Sequence, residues 1–517
     1  MLCSTLSVLL LLAAGGEIDA DLVLLGAEIH SGRGTPPLTG DVAVKDGRIV
    51  AVGKFATGKV GREIDAKGLL VAPGFIDLHN HSDNPITKPA TRLNKNFLTQ
   101  GVTTIVTGNC GGGRADVEKY LAEIDEHGAG TNVVHLIPQG AVRRQVIGNE
   151  PRPPSEAELT EMKQVVEQGM RDGAWGMSTG LIYVPSKYAN TAELVALAKV
   201  VADHGGIYVS HMRNENTRLL ESIDETLAIG KQAALPVHIS HFKASGRAAW
   251  GLAADAVNKV QAARDAGQAV TADQYPYIAS STSLGAMVVP DRFRSKDKFT
   301  AAIEDPEQAP ALRAEIEKGI ESRSGGASLF IAGYAKNRAW QGRDLASLAE
   351  EQERSVLDLV IEIQTNGGAA MVNFGMNEEE VRLIMQQPFV ATASDGGAKV
   401  PNETVPHPRN YGTFPRKIGH YAIGGGVVPL DQAIRSASGL PADILGMPER
   451  GYVEAGYVAD LVVFDPNTLR DNATFQEPHQ YSSGVEYLLI GGELAIDEGK
   501  VTGRLAGRAL RHKIRSP

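Results

Sequence analysis

Apolar and polar positions follow two rhythms along this chain. From Phe75 to about Leu445, short apolar, β-branched runs alternate with longer stretches whose apolar positions recur every three or four residues. Val102 to Val106, Val133 to Ile137, Trp175 to Ser178, Ile207 to Ser210, Val237 to Ser240, Ala269 to Ala272 and Phe389 to Ala393 read as strands. Ala192 to Asp203 and Arg218 to Gln232, lying between them, read as helices. This alternation predicts a parallel α/β barrel, whose chemistry gathers at the C-terminal ends of its strands.

The flanks keep a different rhythm. Asp21 to Leu25, Val42 to Val44 and Arg48 to Val52 are strand-like, with Asp46-Gly47 as a hairpin turn. Ala459 to Phe464 and Val485 to Ile490 mirror them at the other end, with Gly491-Gly492 as a turn. The expected organisation is a composite β domain of sandwich type from residues 19–73 and 446–517, around a (β/α)8 barrel over 74–445. The stretch from about Val288 to Asp344 breaks the rhythm with charged helical patches and reads as an insertion at the barrel mouth.

Residues 6–12 form an apolar run followed by Ala13-Ala14-Gly15-Gly16. The run is too short to span a bilayer, and it matches the core and cleavage zone of a secretory signal peptide, although no Lys or Arg precedes it. Residues 1–18 are therefore expected to be a leader, with export as its consequence.

At 517 residues, 43% hydrophobic and 22% charged, the chain has material for a large core. Its net charge of −10 and the absence of a long Lys/Arg cluster argue against a nucleic-acid partner. Only Cys3 and Cys110 occur, so no disulfide framework is expected and Cys110 must be explained as a single thiol.

The candidate chemistry sits at the strand ends. Gly74-Phe75-Ile76-Asp77-Leu78-His79-Asn80-His81 closes an apolar run with two histidines two residues apart, which period-2 geometry sends to one face. Cys110 follows the strand Val102 to Val106 among glycines that let backbone approach a ligand. His211 and His241 each follow a further apolar strand, and Asp395 follows the last. His241 and Lys243 share a face, whereas His238 points to the other and reads as structural. Neutral imidazole and thiolate suit Zn²⁺, and three protein ligands plus water leave the open position that catalysis needs.

At these residues the chain resembles the amidohydrolase superfamily, and within it the D-aminoacylase (N-acyl-D-amino-acid deacylase) family. The Gly74 to His81 run is the superfamily's marker. The narrower likeness lies in Gly176 to Pro185, Ser210 to Glu215, Ser240 to Gly246, Asp273 to Tyr277, His407 to Arg409, Tyr411 to Arg416 and Phe475 to Tyr481. It runs from about Asp21 to Arg511.

The resemblance implies zinc-dependent hydrolysis of the amide bond of N-acyl-D-amino acids, a small-molecule substrate class. Many superfamily members bridge two metals with a carboxylated lysine on the fourth barrel strand, yet Trp175 to Leu181 contains no Lys. In the D-aminoacylase family a cysteine takes that place, and Cys110 matches it. By this carry-over Cys110, His211 and His241 hold one tight zinc, while His79, His81 and Asp395 line a second, weaker position. Asp395 is also the expected proton shuttle.

Lys243, beside His241, is placed to meet the substrate α-carboxylate, and by resemblance Tyr275, Ser281 and Arg409 assist. Ile182 and Tyr183 are expected to shape the side-chain pocket and to disfavour acidic side chains. Selectivity for D over L comes from the family alone. A cyclic-amide hydrolase of the dihydropyrimidinase or hydantoinase kind, or a D-dipeptidase on the same fold, stays open at this point, as do one metal against two and the oligomeric state.

Overall fold

The structure, a computed structural model, describes residues 16–513. The expected leader therefore lies outside the described residues except for Gly16, Glu17 and Ile18, and Cys3 lies outside them altogether.

Eight parallel strands form the barrel: β1 (Phe75–Asp77), β2 (Val102–Thr107), β3 (Asn132–His135, continued by Ile137–Pro138), β4 (Gly176–Gly180), β5 (Ile207–His211), β6 (Val237–Ile239), β7 (Val270–Gln274) and β8 (Val390–Thr392). Two arcs of paired strands meet at Leu136, inside the third strand, and a parallel bridge between Asn80 and Gly396 closes the ring. Every residue of β2 (Val-Thr-Thr-Ile-Val-Thr) is buried. Strands covered on both faces need no alternation, and β-branched residues fit the pleated, crowded wall.

Helices between the strands turn their apolar stripes onto this wall. The helix Glu156–Arg171 starts at Ser155, which accepts a hydrogen bond from Glu158 N while Glu158 reaches back to Ser155 N. This reciprocal cap satisfies two of the helix's free amides. Met162, Val166 and Met170, at helical spacing, are its buried face.

A nine-stranded sheet from both ends of the chain lies against the barrel. Leu70–Pro73 joins its halves, pairing in parallel with Ile18–Ile29 and antiparallel with Leu461–Phe464. One face packs Leu24, Ile29, Val42, Ile49, Leu461 and Val463 into a separate core. Asp46 and Gly47 both take positive φ, 51° and 74°, as a two-residue hairpin turn of this hand requires. The strands Thr57–Asp65, Glu493–Asp497 and Lys500–Val501 were not apparent in the hydrophobic pattern, because they alternate at a half-exposed surface and carry several charges.

The excursion after β7 is longer than the expected 288–344. It begins with the strand Ser280–Ser283 and returns with Ala370–Asn373, which pairs antiparallel with it and with Leu329–Gly333. Helices over 284–365 fill a core of their own around Phe299, Leu312, Ile316, Leu345, Leu359 and Ile363. The outer strands Ser280–Ser283 and Leu329–Gly333 owe their conformation to one central partner, about 90 and about 40 residues away along the chain (Ser281 and Phe330 both pair with Val372), a relation that local periodicity does not carry.

Candidate metal centre and substrate pocket

Asp77, the last residue of β1, is fully buried and ties the first strand to the last: it accepts from Ser394 N at 2.8 Å and from Asn80 Nδ2 at 2.8 Å. Burial pushes its carboxyl up to about 6 against these hydrogen bonds. This clamp delivers His79 and His81 on one side and Asp395 on the other. His81 Nε2 lies 3.0 Å and His79 Nε2 3.5 Å from Asp395 Oδ1.

Cys110 arrives from β2 on a tight turn. Gly108, at φ 77°, lies so close to β3 that a Cβ there would come within 2.0 Å of Leu136 O. The same crowding holds at Gly180 at the end of β4, where a Cβ would lie 2.1 Å from Cys110 O. The thiol Sγ is 3.2 Å from His79 Nε2, 3.4 Å from His211 Nδ1 and 3.8 Å from His241 Nε2, and the last two nitrogens are 2.8 Å apart. Cys110, His241 and Asp395 all adopt positive φ (53°, 35° and 49°), which for non-glycine residues costs about 1 kcal/mol or more each. The surrounding structure holds the backbone of three residues of one cluster in strained conformations, a mark of a built site.

Zinc bonds of about 2.0–2.1 Å to nitrogen and 2.3 Å to sulfur, at tetrahedral angles, separate ligand atoms by roughly 3.3–3.6 Å. The Cys110, His211 and His241 atoms stand close to that cage; the 2.8 Å pair must open and the 3.8 Å pair close slightly. Protonation fits at two of the three: burial and Lys243 would lower His241, but Glu215 and the Cys110 thiol raise it, so a metal would displace a proton there. Burial would raise the Cys110 thiol, but His79 and His211 beside it hold it well below the usual range, toward thiolate. Burial, with His241 alongside, lowers His211 and keeps it neutral. Thiolate and neutral imidazole are the states that ligate metal. A second group, His79, His241 and Asp395, also keeps its donor atoms within 4.8 Å of one another, as does a third of His79, His81 and Cys110.

Behind these residues stands a supporting set that the sequence reading passed over. Asp273, from β7, accepts from His241 N at 2.8 Å, with His238 Nε2 at 2.9 Å and His79 Nδ1 at 3.5 Å from its other oxygen. His238 thus has the structural place expected of it, anchored to Thr271 and Asp273. Glu215 lies 2.8 Å from His241 Nδ1 and 2.7 Å from Lys243 Nζ. Such carboxylate partners fix imidazole orientation and raise ligand basicity. The signals were present, an acid at a strand end and one in the Ser210 to Glu215 block, but a lone acid at a strand end reads equally as a helix cap.

A cavity of about 600 Å³ opens above the cluster and is lined by eleven of the twelve expected site residues; His79 lies beneath its floor. Ile182 and Tyr183 form one wall, with Tyr183 edge-on to His211. Arg409 Nη1 is 2.9 Å from Asp395 Oδ2, and its guanidinium stacks 4.7 Å over the Tyr275 ring. Burial would raise the Asp395 carboxyl, but Arg409 and His79 hold it well below the usual range. The Tyr275 hydroxyl is buried and finds no hydrogen-bond partner among the described residues. Two expectations change in detail. Lys243 is already paired with Glu215 and donates to His241 O at 2.9 Å, so its charge is partly spent inside the protein. Ser281 belongs to the insertion and donates its hydroxyl to Met371 O.

With the site in place, a family model described as "Amidohydrolase family" matches residues 62–293 and 332–496. The chain belongs to the amidohydrolase family. The gap in the match falls in the helical part of the insertion. D-aminoacylase of Alcaligenes xylosoxydans xylosoxydans, a relative, is 34% identical over 95% of this chain and 97% of its own length. A solved D-aminoacylase structure, described by the role of its binuclear metal centre with one-metal activation and second-metal attenuation, aligns with a TM-score of 0.82 at 31% identity, covering 95% of this chain and all of that one. N-acyl-D-glutamate deacylase from Bordetella bronchiseptica, solved with zinc and a phosphonate mimic of the tetrahedral intermediate, also gives 0.82, at 30% identity over 96% of this chain and all of that one.

Proposed function

We propose that this amidohydrolase cleaves the amide bond of N-acyl-D-amino acids with zinc, releasing a carboxylic acid and a free D-amino acid. The observation that carries the reading is the cage of Cys110, His211 and His241 beside the Asp395–Arg409 pair, on a barrel whose fourth strand has no lysine. The two relatives bearing deacylase activity in their names support the substrate class and the D configuration. Cys110, His211 and His241 would hold one tight zinc, and His79, His81 and Asp395 a second, weaker one. When bound, zinc supplies a Lewis acid that acidifies water and polarises an amide carbonyl.

The protein's own groups do the rest. Asp395, kept ionised by Arg409, accepts the proton of the attacking water and passes it to the departing amine. The unpartnered Tyr275 hydroxyl and Arg409 meet the substrate α-carboxylate, with Lys243 behind them. Glu215 and Asp273 keep His241 and His79 oriented.

A panel of N-acetyl-D- and N-acetyl-L-amino acids, a hydantoin and a D-dipeptide, assayed with and without added Zn²⁺, tests this directly. Turnover of the N-acetyl-D compounds that follows zinc loading is expected. Preference for the hydantoin would overturn the reading in favour of cyclic-amide hydrolysis. Export rests on the apolar run at residues 6–12 alone, and fractionation of expressing cells, with N-terminal sequencing of the product, checks it.

A further inference from the structure

The substrate cavity has a neighbour. A second cavity of about 310 Å³ lies on the far side of a thin wall made by His81, Ser281, Asp395 and Arg409, which line both. It continues past Gly333, Ala370 and Thr404 into a third hollow of about 820 Å³ between the insertion and the loop at Asn402 to Thr404. The reacting centre is thus approached from two sides.

The loop after β8 forms the floor of this second cavity and is held rigidly. Its amides each donate to a different oxygen: Gly396 N to Ser394 Oγ, Gly397 N to Asn410 Oδ1, Ala398 N to Ser82 Oγ and Lys399 N to Asn96 Oδ1, at 2.7–3.2 Å. No backbone donor is left over for an anion. His407 is also occupied, with Nε2 at 2.9 Å from Ala279 O and Nδ1 accepting from Arg409 N. Two cations line the space, Arg409 and Lys399, against one carboxylate, Asp395, which Arg409 already holds. Among the described residues no hydrogen bond or ion pair engages the Lys399 ammonium. Burial and the nearby Arg409 charge lower its pKa, the sign of an ammonium short of anionic company.

We propose that this second cavity binds a small carboxylate through Lys399 and Arg409, and that its occupant in turnover is the acid released from the acyl group. This rests on the deacylase reading above. Hydrolysis makes two products from one substrate, and the free amino acid occupies the main pocket with its own carboxylate and side chain. A second cationic opening next to Arg409 lets the acid depart without passing it. No further chemistry is required, since the acid leaves as formed, its proton having gone to the amine.

Product inhibition reads this out. In the zinc-loaded full chain acting on an N-acetyl-D-amino acid, Lys399→Met is expected to raise the inhibition constant of acetate about 10-fold or more, the loss of one charge-assisted contact. That of the free D-amino acid should move less than about two-fold, and Lys399→Arg should restore acetate inhibition. Equal shifts for both products, or none for acetate, would overturn the proposal. A loss of kcat/KM confined to N-acetyl-D-glutamate over N-acetyl-D-glutamine, with acetate inhibition unmoved, would assign the cavity to a second carboxylate on the substrate instead, and would overturn it too. Acetate-dependent thermal stabilisation of the wild type against Lys399→Met needs no turnover. It decides the carboxylate site even if the enzyme proves to act on other amides, so failure of the site and failure of the activity are separable.

Discussion

At the scale of single residues, the site divides labour between groups that can hold metal and groups that handle protons and charge. Cys110→Ala removes the thiolate that three imidazoles surround, so metal and activity should be lost together; full zinc by elemental analysis in an active variant would contradict the cage. Asp395→Asn keeps the shape but not the base. It should retain the Cys110-centred zinc and lower kcat by about 10²-fold or more, checked by metal analysis alongside steady-state kinetics. Lys243→Ala is more complicated than a missing clamp. It leaves Glu215 buried with only His241 to balance it, and removing one partner of a buried pair typically costs about 3–5 kcal/mol. We expect losses of kcat/KM on N-acyl amino acids and on the matching amides alike, with reduced thermal stability, and partial recovery in Lys243→Ala with Glu215→Gln. A loss confined to the free acids, at unchanged stability, would instead restore Lys243 as a direct carboxylate ligand.

At the scale of elements, the strand ends carry the information and the turns enforce it. Period-2 alternation predicted the pairings of His79 with His81 and of His241 with Lys243. The structure brings the first two ring centres to 5.2 Å and Lys243 Nζ to 2.9 Å from His241 Nδ1, though all four residues lie past the strand ends, where the turns rather than the pleat set their direction. The six expected metal ligands and Lys243 come together because a parallel barrel converges its strand C-termini, a relation that a one-dimensional pattern does transmit. Tyr275, Ser281 and Arg409 were expected from the resemblance instead, Ser281 standing on the insertion and Arg409 in a helix beyond β8. What the pattern withheld was pairwise and long-range: the antiparallel pairing that lengthens the insertion, the Glu215–Lys243 ion pair and the Asp77 clamp to Ser394. Each depends on which charged or polar residue meets which at separations from about 30 to more than 300 residues along the chain, which local periodicity does not carry. The turns give an element-level test. Gly180→Ala forces a Cβ into the Cys110 carbonyl, which is backbone and cannot swing aside, so the β2 turn must shift. A displacement of about 1 Å in a catalytic constellation can cost about 10²-fold. Gly180→Ala should therefore lose zinc affinity and activity far more than it loses stability, measured by competition with a chelator and by urea unfolding of the metal-free protein. A variant with normal zinc affinity would show that the loop relaxes without moving the thiol.

At the scale of the whole molecule, stability against pH should carry the imprint of Lys417. This residue sits in the helix Arg416–Gly424, is 3% exposed, and donates to Met385 O at 2.9 Å. Burial pushes its ammonium down to about 7, from 10.5 in an exposed lysine. Between those two values the unfolded chain binds a proton that the folded chain does not, so this group makes stability rise with pH across the window from about 7 to 10.5. Below pH 7 both states are charged and the full penalty of burying the ammonium remains, on the order of a few kcal/mol. Lys417→Met removes that penalty and also leaves the Met385 carbonyl without its donor, a loss of about 1–3 kcal/mol that does not depend on pH. The sign at any single pH is therefore less diagnostic than the slope. Relative to wild type, the variant should gain most at pH 6 and progressively less toward pH 10, with the difference following one proton. Because every other titrating group is common to the two proteins, urea midpoints measured in parallel at fixed zinc isolate it. A stability difference constant from pH 6 to 10 would mean that Lys417 finds water or an anion in the folded protein and keeps an ordinary pKa.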